Sequence, residues 1–426
     1  MSPFRPRVLV IAEAANPEWV SVPLVGWSLA SALRQRADVH IVTQVRNRDA
    51  FLRAGLIEDR DFTAIDSEAV AAPLYRLAEV LRMGKGRGWT TVSAIAALSY
   101  PYFERLLWQR FGPDIRAGRY DIVHRITPLS PTASSPVAAK VAAAGVPFVL
   151  GPLNGGVPWP KGFEAERRRE REWLSYIRGV YKLNPQIRRT LSAASLIIAG
   201  SRHTASEVPA AFRDKVVWLP ENAIDPSRFN LVARQDLGLP LRACFVGRLV
   251  PYKGPQILLD AIAPFAREGR MVLDVVGDGP MLDELREQAA RIGIQNKVTF
   301  HGALPHHRVQ EILSGANLLT FPSIREFGGG VVLEAMALGV VPMVVDYAGP
   351  GELVTDQVGF AIPLGTRAEI TAGMTAMLAG VLEDPSVLTA KAAAARHQVQ
   401  IQFTWDAKAA RIVDLYQGLL ERRAPA

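Results

Sequence analysis

Cysteine is almost absent from this chain, since Cys244 is the single one among 426 residues. An internal disulfide is therefore excluded, as is a structural zinc site built from several thiolates. Cys244 lies in the apolar run LRACFVGRL, which predicts a small buried hydrophobic side chain. Such cysteine usage suits a reducing cytoplasm, which is the location we expect.

Long apolar runs are also missing, although 49% of the residues are hydrophobic. No stretch reaches the roughly 18–20 residues that a membrane-spanning helix needs. The apolar run near the start is short and lacks a small-residue cleavage site, so it predicts a first β-strand rather than a secretory signal. We expect any membrane association to be peripheral, on the inner face.

Acidic residues are scarce in the first half of the chain. Residues 1–220 contain 30 Lys and Arg against 19 Asp and Glu, whereas the remainder contains 19 against 22. A basic half attracts nucleic acid, anionic lipid or phosphorylated substrates. Because the excess clusters in one segment instead of following an aromatic-lined groove, we expect no nucleic-acid partner.

That segment spans residues 161–190. Its aromatic and aliphatic side chains recur at helical spacing among basic ones, namely Trp173, Tyr176 or Ile177, Val180 or Tyr181, with Arg167, Arg168, Arg169, Arg171, Arg178 and Lys182. This pattern predicts a basic amphipathic helix on an anionic membrane surface. The alternative is a solvated helix whose charges are largely neutralised by Glu164, Glu166, Glu170 and Glu172.

Short β-branched runs alternate with helix-length segments, which predicts parallel sheets covered on both faces. The expected strands are 7–14, 38–43, 121–127, 147–152 and 195–201, then 242–248, 271–279, 297–302, 318–323 and 341–346. The expected helices include 22–35, 131–144, 255–266, 281–292 and 307–316. The pattern restarts near residue 203, so we expect an N-terminal domain of residues 1–203, a second domain of residues 204–402 and a terminal helix over 403–420.

The strongest motif is REFGGGVVLEAMALG. Two acids, Glu326 and Glu334, enclose seven residues that include the glycines Gly328, Gly329 and Gly330. Glycines at a strand-to-helix turn let backbone N–H groups approach a phosphate, and the following helix N-terminus adds a positive dipole.

The helix after this turn is predicted over 331–339, so that Glu334 falls in its first turn, close to whatever the N-terminus binds. The alternative is that Glu334 only stabilises its own helix terminus.

A second motif, FVGRLVPYKG, places Arg248 and Lys253 in one strand-to-helix loop. Two cations there can grip a diphosphate and stabilise it as it leaves, although solvated surface charge is the alternative. A third, VVGDGPMLDEL, is half of a dinucleotide fingerprint, but Leu282 stands at the third glycine position. We interpret it as a tight turn at the carboxyl edge of the sheet. The triplet Asp59-Arg60-Asp61 lacks a preceding apolar strand, and we expect no metal site there.

Together these motifs resemble the retaining glycosyltransferases of family four, which have the GT-B fold. The likeness is strong over about 220–420 and weaker through DIVHRITPLSP, PFVLGPLNGG, SLIIAGSRHTASE and LPENAIDPSRF. It implies two Rossmann-like domains facing each other across a cleft, with the C-terminal helix crossing back to the N-terminal domain. The donor sugar nucleotide would bind the second domain and the acceptor the first.

The resemblance also implies roles for individual residues. Arg248 and Lys253 would grip the donor diphosphate, and Glu326 would lie beside the transferred sugar. Glu334 would hydrogen-bond the ribose. Backbone groups that would contact the sugar or phosphate belong to Gly329, Gly330 and Val331. No metal or other cofactor is implied.

The N-terminal half departs from the family pattern. Where many relatives have an H-x-H-like motif, this chain has His124-Arg125-Ile126, so a sugar contact would come from His124 or Thr127. The loop GPLNGG, with Asn154, Gly155 and Gly156, is expected to border the acceptor cleft; a plain turn is the alternative.

The sequence thus predicts transfer of a hexose-type sugar, with retention, from a nucleotide diphosphate sugar to a lipid-linked or polysaccharide precursor. A nucleotide-sugar epimerase on the same fold is an alternative. A basic nucleic-acid-binding protein is a further one.

Overall fold

The structure is a computed structural model that describes residues 5–81, 89–169, 184–229, 231–233 and 236–422. The chain divides into two compact units. The first comprises Met1–Gly156, Glu172–Glu221 and Trp405–Ala426, and the second comprises Val157–Arg171 and Asn222–Thr404. Each unit contains one parallel sheet, which confirms the predicted α/β class.

The strands of the described residues, numbered along the chain, are β1 Arg7–Ala12, β2 Asp38–Gln44, β3 Phe62–Ile65, β4 Ile122–Thr127, β5 Phe148–Leu153, β6 Leu196–Ala199, β7 Val216–Trp218, β8 Leu241–Val246, β9 Met271–Val276, β10 Val298–Gly302, β11 Leu318–Phe321, β12 Val341–Asp346 and β13 Phe360–Pro363.

The helices, numbered in the same way, are α1 Val22–Arg36, α2 Arg48–Arg53, α3 Glu68–Leu81, α4 Trp89–Arg116, α5 Pro136–Ala143, α6 Glu164–Arg169, α7 Pro185–Ala193, α8 Arg202–Glu207, α9 Pro255–Arg267, α10 Leu282–Arg291, α11 His306–Ser314, α12 Gly330–Leu338, α13 Ala348–Leu353, α14 Arg367–Glu383, α15 Val387–Gln402 and α16 Trp405–Glu421. None of these helices combines the length and apolar character that crossing a bilayer requires.

The first sheet has seven strands in the order β3-β2-β1-β4-β5-β6-β7. Strands such as β4 and β5 are buried along their whole length, because helices cover both faces of a parallel sheet. The short strands β3 and β7 were not predicted. β7 has only three residues, which is too short a run to show a periodic pattern.

The C-terminal helix α16 packs against α1 in the first unit. Its buried face is formed by Ala409, Ile412, Val413, Tyr416 and Leu419. Because Asn222–Thr404 belong to the second unit, the chain returns to the first unit through this helix, as the GT-B resemblance implies.

The second sheet has six strands in the order β10-β9-β8-β11-β12-β13. Its core includes Phe163 from the segment Val157–Arg171, which precedes the unit's other residues in the chain. The first unit, in turn, continues through β7 to Glu221, beyond the boundary expected near residue 203.

Both sheets reverse their strand order once. In the first sheet the reversal lies between β1 and β4, and in the second it lies between β8 and β11. In open α/β sheets, ligands bind outside the carboxyl ends of the strands at such a switch point. The loops that follow these four strands are therefore the expected ligand-binding positions.

Candidate functional site

The loop after β8 carries Arg248 and Lys253. β8 ends at Val246, two residues earlier than predicted, and Arg248 lies in the strand-to-helix loop, as expected. The loop then turns through a short 3-10 helix, Pro251–Lys253, before α9 begins.

Glycines of neighbouring turns let the backbone approach this loop closely. A Cβ added at Gly277 would collide with the carbonyl oxygen of Gly247, and one added at Gly279 would collide with that of Leu249. The amide of Leu249 donates to the carbonyl of Asp278 at 2.9 Å. The VVGDGP motif is thus a tight turn that supports the loop, as we interpreted it.

Lys253 and Glu326 contact each other through Nζ and a carboxylate oxygen. Their side chains are only 15% and 22% exposed, so water screens the pair weakly. The Lys253 ammonium also lies 4.9 Å from the ring centroid of Phe321. Burial lowers the pKa of Lys253 to about 8.

Arg248 is exposed at the same carboxyl end of β8. Within the described part of the chain, its guanidinium has no hydrogen bond or ion pair. Arg248 and the largely buried Lys253 lie on the same loop. Together they can supply two charged hydrogen-bond donors to one anion.

The three glycines lead into α12. Gly329 precedes the helix with φ of 56° and ψ of 32°, a left-handed conformation that favours glycine. Val332 and Leu333 donate their backbone N–H groups back to the carbonyl of Gly329. The N–H groups of Gly330 and Val331 find no acceptor among the described residues, so they remain open to a ligand.

Glu334 is the fifth residue of α12, because the helix starts at Gly330. It therefore lies in the second turn, not in the first as predicted. Its carboxylate Oε1 is 3.2 Å from His306 Nε2 at the start of α11. This hydrogen bond raises the pKa of His306 above its ordinary value. The sequence had given no sign of His306.

Of the predicted donor residues, the structure brings Lys253 and Glu326 into direct contact. Arg248 and the N-terminus of α12 follow the same two switch-point strands, β8 and β11. Two cations, free backbone donors and two carboxylates near one sheet edge can bind a polyphosphate and orient polyols attached to it.

His124 is buried and hydrogen-bonded within the first unit. Its side chain is fully buried in β4, with Nδ1 2.6 Å from the hydroxyl of Tyr416 and Nε2 2.7 Å from the carbonyl of Gly151. Burial lowers its pKa to about 4, so the ring is neutral. Both ring nitrogens are already hydrogen-bonded within the protein, so neither can contact an acceptor substrate. The ring instead links α16 to the first sheet.

Thr127 is also buried, and its hydroxyl bonds the backbone of Ala14. The loop at Asn154–Gly156 is held by its own hydrogen bonds: the amide of Gly155 donates to Thr204 Oγ1 at 3.0 Å, and that of Gly156 donates to Asn154 Oδ1 at 2.9 Å. This loop has the properties of an ordered turn.

Asn154 Nδ2 donates to the buried carboxylate of Glu221 at 2.7 Å. Burial raises the pKa of Glu221 to about 7 and lowers that of nearby Lys408 to about 7. Lys408 also donates to the carbonyl of Pro220. Sequence reasoning missed this group, because Glu221 and Lys408 lie far apart in the chain.

Asp61 of the Asp59-Arg60-Asp61 triplet pairs with Arg60 and Arg34, whose guanidinium groups hold the pKa of its carboxyl at about 2. Within the described ranges, no group of three or more His, Cys, Asp or Glu side chains is arranged to hold a metal ion. The middle of the predicted amphipathic segment, residues 170–183, lies outside the described residues.

Part of the second unit matches a known protein family. Residues 234–397 match the model of the "Glycosyl transferases group 1" family. This range contains Arg248, Lys253, Glu326 and Glu334.

Similar proteins are glycosyl-transferring enzymes by name. A glycogen synthase of Mycobacterium tuberculosis is 32% identical over 46% of this chain and 47% of its own length. A D-inositol 3-phosphate glycosyltransferase of Streptomyces griseus is 33% identical over 46% and 44%. A GDP-mannose-dependent phosphatidylinositol monomannoside mannosyltransferase of Mycolicibacterium smegmatis is 29% identical over 56% and 66%. The chain spans about half the length of the first two.

Solved structures extend the likeness over the whole chain. Anabaena HepE in complex with UDP has a TM-score of 0.59 at 17% identity, covering 97% of this chain and 100% of that one. WaaG, a glycosyltransferase involved in lipopolysaccharide biosynthesis, has a TM-score of 0.55 at 15% identity, covering 96% and 100%. This chain therefore has the GT-B fold of these glycosyltransferases, and its residues 234–397 match the glycosyl transferases group 1 family.

Proposed function

We propose that the protein is a retaining glycosyltransferase of the family-four type. It transfers a hexose-type sugar from a nucleotide diphosphate sugar to an acceptor, either lipid-linked or a polysaccharide precursor. The observation that carries this proposal is the contact between Lys253 and Glu326 at the switch point of the second sheet. Both residues lie within the matched range 234–397.

Arg248 and Lys253 bind the donor diphosphate in this proposal. As the bond between sugar and phosphate breaks, negative charge builds on the departing diphosphate. Arg248 offers an uncommitted guanidinium, and Lys253 offers an ammonium in a site that is largely shielded from water. Charge-assisted hydrogen bonds from these groups would stabilise the leaving group without a metal ion.

The segment from Glu326 to Glu334 binds the rest of the donor. The N–H groups of Gly330 and Val331, which have no acceptor among the described residues, lie at the positive end of the α12 dipole and suit phosphate or sugar oxygens. Glu326 lies beside Lys253 and contacts the transferred sugar. Glu334 accepts hydrogen bonds from the ribose. We assign no side-chain nucleophile.

The acceptor belongs to the first unit in this proposal. Because HepE and WaaG share the fold alone with this chain, the acceptor's class comes from the relatives' names, which include glycogen and phosphatidylinositol mannoside enzymes. The basic segment 161–190 would hold the enzyme at an anionic surface where a lipid-linked acceptor is available.

The test is a panel of nucleotide sugars, screened by thermal shift and by donor hydrolysis. A shift in Tm and release of nucleoside diphosphate with one or a few members are expected, because binding to the folded state alone stabilises it. Activity should survive EDTA. Interconversion of sugar nucleotides without an acceptor would show an epimerase instead, and inactivity restored only by Mg²⁺ or Mn²⁺ would contradict the metal-free mechanism.

A further inference from the structure

The switch point of the first sheet holds a polar group that neither the motifs nor the family likeness assigns. β1 ends at Ala12, two residues earlier than predicted, so Glu13 and Ala14 belong to the loop that follows. β4, the strand beside β1 at the reversal, ends at Thr127. This is the position in the first sheet that Arg248 and Lys253 occupy in the second.

The backbone at Glu13 is held rigidly. Its carbonyl accepts a hydrogen bond from Asn47 Nδ2 at 2.9 Å, and Thr127 Oγ1 is bonded to both backbone groups of the next residue, Ala14. A Cβ added at Gly26 of α1 would collide with the carbonyl oxygen of Ala14. Close packing from α1 and β4 therefore fixes the direction in which the Glu13 side chain leaves the loop.

The carboxylate of Glu13 nevertheless has no hydrogen-bonding partner among the residues that the structure describes. The residue is half-buried. Removal of water around the carboxyl group raises its pKa to about 7, and the charge of Arg46 opposes this shift. A half-buried carboxylate in such a position loses part of its hydration without gaining a protein donor, so a ligand that supplies a donor is favoured there.

Arg46 and Glu68 are two charged neighbours of Glu13. Arg46, just past β2, donates from Nε to Glu68 Oε1 at 2.6 Å, and Gln44 Nε2 also donates to Glu68. Both Arg46 and Glu68 act electrostatically on Glu13. The side chains of Arg46 and Glu68 are 30% and 34% exposed, so both reach the solvent-facing side of this loop cluster.

We propose that Glu13, together with Arg46 and Glu68, binds hydroxyl groups of a polyhydroxylated ring, a sugar or cyclitol unit, that is the acceptor. A carboxylate can accept hydrogen bonds from two adjacent ring hydroxyls, and a guanidinium can donate to a third. This inference rests on the proposed function, because it assigns the acceptor of the same reaction.

The charge of the group selects among such rings. Above its pKa of about 7, Glu13 adds a second carboxylate to that of Glu68, against the one guanidinium of Arg46, and Asp66 is an exposed carboxylate nearby in the chain. A phosphate group beside two carboxylates is repelled, whereas an uncharged ring is not. The site therefore favours an uncharged ring over its phosphorylated counterpart.

The experiment measures binding directly, by ligand-observed NMR and calorimetry on the full chain. The probes are myo-inositol, myo-inositol 3-phosphate and the methyl α-glycosides of glucose, galactose and mannose. The variants are Glu13→Gln and, as a matched control on the same loop, Glu18→Gln, whose carboxylate pairs with Arg53 instead. Tm values report whether each variant is folded.

The wild-type protein is expected to bind at least one uncharged ring, and to bind myo-inositol 3-phosphate more weakly than myo-inositol. Glu13→Gln should weaken that binding about tenfold or more, as loss of a charged hydrogen-bond acceptor implies, whereas Glu18→Gln should not change it. Absence of binding to every ring, or equal binding by folded Glu13→Gln, would overturn the assignment. Preferential binding of the phosphorylated ring would overturn the charge argument.

Nucleotide-sugar binding is titrated on the same samples. Because Glu13 lies in the first unit and the donor motifs lie in the second, Glu13→Gln should bind the donor like wild type. If the wild-type protein binds no nucleotide sugar, the proposed function is wrong. This result is independent of the ring-binding measurements, which test the role of Glu13.

Discussion

Lys253 and Glu326 contact each other although 73 positions separate them in the chain. The ammonium and the carboxylate neutralise each other in a weakly hydrated position. A diphosphate would compete with Glu326 for Lys253 and release the carboxylate toward the sugar. The fold of the second unit therefore holds these two residues of the proposed donor site in contact.

The first prediction concerns this pair of cations. Arg248→Ala or Lys253→Ala should slow transfer by roughly 2–4 kcal/mol of transition-state stabilisation, or about 30- to 1,000-fold in kcat/KM, because each removes one charge-assisted donor. Arg267→Ala, which removes an exposed cation at the end of α9, serves as the control. Wild-type kinetics in folded Arg248→Ala and Lys253→Ala would refute the diphosphate clamp.

The second prediction separates the two acids. Glu334→Gln should mainly weaken binding of the nucleoside diphosphate, because a ribose contact exists with or without the sugar. Glu326→Gln should mainly lower turnover of the full donor, because its carboxylate faces the sugar. Calorimetry with the nucleoside diphosphate and steady-state kinetics distinguish the two. Equal losses of diphosphate affinity would mean that the roles are assigned wrongly.

The third prediction concerns the hydrogen bond between His306 and Glu334. Because Glu334 raises the pKa of His306, Glu334→Gln should lower that pKa toward about 6.5, as measured by NMR titration of the ring.

The same shift has a consequence for stability. A raised pKa in the folded state stabilises the protein below the unfolded pKa of about 6.5, and the stabilisation disappears as pH rises through the folded value. The difference in unfolding free energy between wild type and Glu334→Gln should therefore shrink as the pH rises from below about 6.5 through the folded-state pKa of His306. A difference that is independent of pH would contradict the contact.

The fourth prediction concerns Gly279. Glycine there lets the turn approach the carbonyl of Leu249, so Gly279→Ala should destabilise the protein by about 1–3 kcal/mol through overpacking and should weaken donor binding. Gly380→Ala is the matched control, because an added Cβ there meets nothing within 4 Å and the position lies inside α14. The control should gain about 0.5–1 kcal/mol of stability. Thermal unfolding of both variants measures the contrast.

The fifth prediction concerns the basic segment 161–190. Sedimentation with liposomes at low salt should increase with anionic lipid content, since each basic residue near the surface contributes about 1 kcal/mol. Replacing Arg167, Arg168, Arg169 and Arg171 with Ser should reduce it.

The control for that experiment replaces four exposed cations of the second unit with Ser, namely Arg267, Arg291, Lys297 and Arg308. These replacements should leave sedimentation nearly unchanged. Absence of binding by the wild-type protein at low salt would favour a solvated helix and an acceptor that is not embedded in a membrane.

Hydrophobic periodicity was enough to predict most strands of both sheets. β12 was predicted with its observed bounds, 341–346, because a fully buried parallel strand is a continuous apolar run between turns. β3 was missed because its four residues follow the charged stretch IEDRD. The predicted helix over 131–144 begins only at Pro136, where proline fits the first helical position.

The candidate donor residues were found from sequence because glycine, arginine and lysine stand at fixed places in local turns. That information is local, since a strand, a turn and a helix are consecutive in the chain. The sequence could not reveal that Lys253 contacts Glu326 or that His306 contacts Glu334, because each pair joins two distant turns.

The sequence by itself determined two α/β halves, the glycine-rich and basic turns of the proposed donor site, and a terminal helix, because each depends on neighbours within about one turn or strand. Only the tertiary structure decided which polar groups are free. It bound both nitrogens of His124, buried Glu221 near Lys408, and, among the residues that the structure describes, left the Glu13 carboxylate without a hydrogen bond. Whether a polar side chain finds a hydrogen-bond partner depends on which residues of other strands and helices lie next to it. The order of the strands in the sheet decides which residues those are.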